Sequence, residues 1–149
     1  MPQPEIPDVT QALALAHDLR ELIGRVMRRL REEVRPGELT LSQMSAIGRL
    51  DREGPATVTT LARAEGVRPQ SMGATVAALE DAGLVRGAPD PADGRQTILA
   101  LTPAARAMVK ANRAAREDWL ARTLRATLSP REQEQLAAAL PLLKRLIDP

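Results

Sequence analysis

The chain has no cysteine, tyrosine or phenylalanine, one tryptophan, one histidine and very little lysine. Without cysteine there is neither a disulfide nor a thiol switch, so peroxide sensing through a thiol is excluded. His17 stands alone, with no cysteine to complete a zinc site and no nucleophile placed beside it for a hydrolytic triad. No cluster of acids, bases or metal ligands converges anywhere else, which argues against a small hydrolase or metalloenzyme and against any bound cofactor. No stretch approaches the roughly 18 apolar residues that a membrane span requires. The opening MPQPEIPDV has neither a basic start nor an apolar run of leader length, so a cytoplasmic location without a membrane partner is expected. Low-complexity tracts and internal repeats are also missing.

Charge of one sign is lacking too. Lys and Arg number 21 against 19 Asp and Glu, a net charge of +2, so any acidic partner must be met by local placement of charge. Arg20, Arg25, Arg28, Arg29, Arg31 and Arg35 crowd the first helical stretch, where Glu21, Glu32 and Glu33 interleave with them as a solvated, ion-paired face. The middle of the chain sets Arg63, Arg68, Arg86 and Arg95 against Glu65, Glu80, Asp81, Asp90 and Asp93. With 149 residues, 44% of them hydrophobic, the chain can bury one substantial core.

What is present is mostly helix. Val9, Leu13, Leu19, Leu22, Ile23, Val26, Met27 and Leu30 predict a long amphipathic helix from Asp8 to Glu33, stopped by Pro36-Gly37. Thr40 to Gln43 has the spacing of a capping box, opening a second helix that ends near Gly54-Pro55. A third is expected to start at Thr59 and stop at Gly66. After a short turn, Pro69 suits the first position of a fourth, because its ring fixes a helical φ and its missing N–H would have no partner there. Met72, Val76 and Leu79 then face the core, which leaves Gln70, Ser71, Gly73, Ala74 and Thr75 on the outer side, and Gly83 ends the helix. Leu84-Val85-Arg86 and Thr97 to Leu101 read as two strands joined by a polar loop containing Asp90, Pro91, Asp93 and Gly94, with Arg95 at or just past the tip. Thr102-Pro103 opens a long helix to Thr127. Ser129-Pro130-Arg131-Glu132 is another capping box, leading a last helix through Leu136, Leu140, Leu143 and Ile147.

Two short helices, a tight turn and a hairpin in this order predict a mainly α fold: a winged helix-turn-helix with a small β-hairpin wing over residues 39–101. The helices at 8–36 and 103–149 carry more apolar surface than one small domain needs. A two-fold homodimer with interleaved terminal helices is the economical use for it. A helix held across a tight turn can enter a DNA major groove while a basic hairpin reaches a minor groove. Gln70 has the amide that pairs bidentately with adenine, and Ser71 and Thr75 reach a shorter distance. Arg68 and Arg86 suit phosphates. A calcium reading of Asp90 to Gly94 fails, because the alternating oxygen ligands and terminal glutamate of such loops are absent.

The residues Leu39-Thr40-Leu41-Ser42-Gln43, Val58-Thr59-Thr60-Leu61-Ala62, Leu79-Glu80-Asp81-Ala82-Gly83-Leu84-Val85 and Asp90-Pro91-Ala92-Asp93-Gly94-Arg95, followed by Leu101-Thr102, together resemble the MarR family of transcriptional regulators, from about Leu39 to about Leu146. The resemblance implies a homodimeric repressor of a nearby operon that binds a palindromic operator in double-stranded DNA, with the helix from Pro69 to Ala82 in the major groove. The family's Asp-x-Arg wing element maps onto Asp93 and Arg95, and Gly94 stands where many relatives have a second arginine. It also implies a small aromatic or lipophilic effector between the dimer helices and the winged part, for which His17, Met44 and Trp119 are the candidate residues. The alternative, a winged-helix protein-interaction module that binds no DNA, is permitted by the near-neutral central segment.

Overall fold

The computed structural model describes residues 9–34 and 37–148. The expected helix start at Asp8, Arg35 and the stop at Pro36 lie outside the described residues. The chain divides into two units, residues 1–35 and 36–149.

The first unit is one helix, α1 (Val9–Glu32). None of its residues is buried, and Leu13, Leu15, Leu22 and Ile23 are each more than half exposed. The expected ion pairing is present in part: Arg20 pairs with Glu21 at 2.7 Å, and Arg29 pairs with Glu32 at 2.9 Å and Glu33 at 2.8 Å.

The second unit is built from α2 (Leu41–Glu53), α3 (Val58–Glu65), α4 (Pro69–Asp81), β1 (Val85–Pro89), β2 (Thr97–Leu101), α5 (Pro103–Thr127) and α6 (Pro130–Lys144). Thr40 and Gln43 close both halves of the capping box of α2: the Gln43 N–H donates to the Thr40 hydroxyl at 3.2 Å and the Thr40 N–H to the Gln43 amide oxygen at 2.8 Å. Helix α3 begins earlier than its threonines suggest. Thr57, in extended conformation, is the cap and accepts the Thr60 N–H at 3.1 Å, whereas Thr59 lies inside the helix. The sequence offers three threonines at this corner, and the extended backbone at Thr57 decides between them.

Gly66 ends α3 with φ +67°, and the Val67 N–H reaches back to the Ala62 carbonyl at 3.0 Å. This is the left-handed turn that releases the chain directly into Pro69 at the start of α4. The wing is longer than its apolar pattern shows. β1 runs through Gly87, Ala88 and Pro89, which pair antiparallel with Leu99, Ile98 and Thr97. These three residues have weak strand preference, so pairing partners define the strand here, and Pro89 sits at its last position. Ala56 adds a further bridge to Leu99, with N–H···O contacts of 3.1 and 2.8 Å.

Thr102 caps α5 and also donates its hydroxyl to the Gly83 carbonyl at 2.7 Å, tying the end of the wing to the end of α4. Ser129 and Glu132 form the expected box of α6, and the Gln133 amide donates to the Leu128 carbonyl at 3.0 Å. α6 stops at Lys144, so Ile147 falls in a following turn, where i to i+3 bonds such as Ile147 N–H to the Lys144 carbonyl replace the helical ladder.

One core joins all of these elements except α6. Ala46, Ile47 and Leu50 of α2, Leu61 and Ala62 of α3, and Met72, Val76 and Leu79 of α4 are buried against Val85, Leu99, Leu101 and Ala105. The three core residues assigned to α4 from spacing are all within this cluster. Leu61, Leu79 and Leu99 are the largest fully buried side chains, each worth about 1.5–3 kcal/mol of transfer free energy.

Gly87 is needed for space. A Cβ there would stand 2.6 Å from the Thr97 γ-methyl and 3.6 Å from Leu99. Gly87→Ala is expected to lower stability by about 1–3 kcal/mol, the usual cost of overpacking. Thermal unfolding of the double variant with Thr97→Ser, which removes the obstructing methyl, checks the cause. A double variant no more stable than Gly87→Ala alone would assign the loss elsewhere.

Candidate nucleic-acid interface

The outer side of α4 carries the side chains proposed from the sequence to read bases. Gln70 and Ser71 are exposed in its first turn, and Thr75 follows one turn later, half-buried. The Thr75 hydroxyl donates to the Ser71 carbonyl at 3.2 Å, so its proton is used within the helix and its oxygen remains an acceptor. Arg68 is the N-cap of α4 but makes no side-chain cap bond, which leaves its guanidinium outside the helix end. Gly73 is surrounded by open space.

In the wing, Arg86 is exposed on β1 opposite Ala100. The hairpin loop is shaped by its two aspartates: Asp90 accepts the Ala92 N–H at 2.9 Å, and Asp93 accepts the Arg95 N–H at 3.1 Å. The loop closes through Asp90 N–H to the Gln96 carbonyl and Gln96 N–H to the Asp93 carbonyl, both at 2.9 Å. Asp93 therefore fixes the backbone from which Arg95 projects, and it does so through the Arg95 amide.

Three other arginines of this unit are engaged in ion pairs. Arg49 pairs with Glu53 at 2.6 Å and Glu65 at 2.5 Å, Arg113 with Asp51 at 3.0 Å, and Arg122 with Asp118 at 2.9 Å. Arg63, Arg68, Arg86 and Arg95 are exposed and make no ion pair among the described residues. The guanidinium groups free to meet an anion thus include all four in the helix-turn-helix and wing, although the total charge of the chain gives no hint of it.

A groove of about 300 Å³ runs beside α4, lined in part by Ser45 of α2, Glu65 of α3, and Ser71 and Thr75 of α4. Glu65 accepts hydrogen bonds from the Ser45 hydroxyl and from Arg49 Nε, and these hold its carboxyl below the ordinary glutamate range. Sequence reasoning missed this cluster; Ser45 and Arg49 are one helical turn apart, but nothing local links them to Glu65. The three effector candidates lie on three different helices. His17 is exposed on α1, while Met44 and Trp119 are half-buried on α2 and α5 and do not line the groove. Among the described residues no three metal-ligating side chains form a cluster, and no helix is long and apolar enough to cross a membrane.

Comparison with known proteins agrees with this geometry. The model of the MarR family matches residues 38–96. An uncharacterised helix-turn-helix-type transcriptional regulator of Mycobacterium bovis is 42% identical over 134 residues, covering 90% of this chain and 93% of that protein. The crystal structure of a transcriptional regulator protein from Pseudomonas aeruginosa is similar with a TM-score of 0.82 at 38% identity, covering 94% of this chain and 98% of the other. BpsR of Bordetella bronchiseptica, whose DNA binding is regulated by 6-hydroxynicotinic acid, shares the fold with a TM-score of 0.58 at 23% identity, covering 100% and 99%. A winged helix-turn-helix with this core, this wing and these relatives defines a DNA-binding transcriptional regulator and not an enzyme. The chain belongs to the MarR family.

Proposed function

We propose that the protein is a homodimeric repressor that places α4 of each protomer in successive major grooves of a palindromic operator and Arg95 of each wing in a flanking minor groove. The observation that carries this reading is that Arg68, Arg86 and Arg95 make no ion pair among the described residues, around a helix whose outer side presents Gln70, Ser71 and Thr75. Gln70 reads a base edge, Ser71 and Thr75 add short contacts, and Arg68 and Arg86 hold phosphates. With Gly73 and Ala74 in place of longer side chains, groove shape carries part of the specificity.

The dimer uses the terminal helices, 8–36 and 103–149. α1 exposes Leu13, Leu22 and Ile23, and the last helix and turn expose Leu140, Leu142, Leu146 and Ile147, more apolar surface than a monomer keeps in water. A small aromatic or lipophilic effector, met by His17, Met44 and Trp119, binds the conformation that does not fit DNA and releases the operator by its differential affinity. BpsR supports an effector of that kind.

Selection of tight-binding duplexes from a random pool with the full-length protein tests the reading. The recovered sites should be palindromic with half-sites about one helical turn apart. Affinity should fall with salt at a logarithmic slope of about −0.9 per phosphate contact, and a panel of aromatic acids should release the duplex. Recovery of no common sequence would overturn the proposal.

A further inference from the structure

Glu65 is an acidic group in an awkward place. It lines the same groove as Ser71 and Thr75, beside the helix proposed to meet a polyanion, where a carboxylate by itself weakens binding. Its surroundings show what it holds. Ser45 and Arg49, one turn apart on α2, both donate to it. Arg49 is braced in turn by Glu53 at 2.6 Å, and its remaining amino group lies 3.4 Å from the Ala64 carbonyl. The side chains of Arg49 and Glu65 keep only 24% and 16% of their exposure, so the pair is shielded enough to fix a geometry.

This grip closes on the last residue of α3. From there to α4 the chain has little freedom: Gly66 is held in the left-handed turn, Val67 bonds back to Ala62, and Pro69 has a fixed φ. A shift of Glu65 relative to α2 therefore passes directly to Gln70 and Ser71 at the start of α4. The burial of Leu61, Met72 and Val76 is non-directional, so the hydrogen bonds to Glu65 add the directional constraint between α2 and α3.

We infer that Ser45, Arg49 and Glu65 form a positioning cluster that sets the angle at which α4 is presented to the operator, without touching DNA. The inference rests on α4 being the reading helix. Removal of a carboxylate next to DNA strengthens binding to any duplex by Coulomb's law, whereas loss of a positioning contact weakens binding only where bases must be read. The two effects have opposite signs on the operator, and the experiment uses that difference.

The test compares full-length wild type, Glu65→Ala, Ser45→Ala and Ser45→Thr on the selected operator and on a scrambled duplex of equal length at one salt concentration, with thermal unfolding of each. Glu65→Ala should bind the operator about tenfold more weakly, on the scale of one mismatched base pair, with scrambled binding unchanged or tighter. Ser45→Ala should lose part of the selectivity and Ser45→Thr, which keeps the hydroxyl, should regain it. Operator affinity that rises or stays level in Glu65→Ala overturns the inference, as does a parallel fall on both duplexes with a lowered unfolding temperature. If Glu65→Ala does not fold, the serine pair decides: equal selectivity in Ser45→Ala and Ser45→Thr overturns it. A wild type without selectivity removes the reading of α4 itself, whereas a selective wild type with an unaffected Glu65→Ala removes only the cluster's role.

Discussion

Arg95→Ala weakens operator binding by about 1–3 kcal/mol while the dimer stays intact; this is the expected result for a guanidinium that serves DNA and nothing else. Arg95 is exposed and makes no ion pair among the described residues, so its loss removes no support from the fold. Gly94 next to it contributes no side chain, so no neighbouring arginine at the wing tip takes over. Asp93→Ala should act in the same direction, because the Asp93 carboxylate receives the Arg95 N–H and so fixes the direction in which the arginine leaves the loop. The two losses should not add, since both act through one contact. Asp93→Asn separates shape from charge: an amide oxygen still accepts the N–H, and most of the affinity should survive. Titration of each variant against the operator at physiological salt measures this, and unchanged affinity in Arg95→Ala would remove the wing from the interface.

Truncation before Ser129 should abolish the dimer. It deletes the apolar side chains of α6, among them Leu136, Leu140 and Leu143, and leaves whatever covers them in the partner open to water. It also strips the end of α5 of the Gln133 amide that caps the Leu128 carbonyl. Sedimentation or light scattering of the truncated chain should show monomer or aggregate, with operator binding lost because two half-sites are no longer held in register. A soluble monomer that binds the operator at full strength would overturn the interleaved dimer.

The helix ends and the order of elements were legible because they depend on neighbours in sequence. The Thr40–Gln43 and Ser129–Glu132 boxes, Pro69 at the first position of α4, and the glycine stops at Gly66 and Gly83 each need only a few consecutive residues. Thr57 was missed in favour of Thr59 because both satisfy the same local rule and the tertiary path selects one. The outer half of β1 was illegible for a different reason: Gly87, Ala88 and Pro89 join the sheet because Leu99, Ile98 and Thr97 lie opposite, not because of their own preferences. Of the proposed interface, the exposure of Gln70 and Ser71 follows from helical periodicity, whereas the spent proton of Thr75, the backbone role of Asp93 and the Ser45–Arg49–Glu65 cluster depend on coordinates.

Gly73 lies in the middle of α4, and a Cβ added there meets nothing within 4 Å. Glycine inside a helix is unfavourable by roughly 0.5–1 kcal/mol relative to alanine, so the fold has no stake in keeping it. A duplicated copy of this gene could then acquire a new contact to a base by one codon change, with no compensating substitution elsewhere and no loss of folding on the way. Divergence of operator preference between paralogues would start at this position, uncoupled from the constraints on the core beneath it.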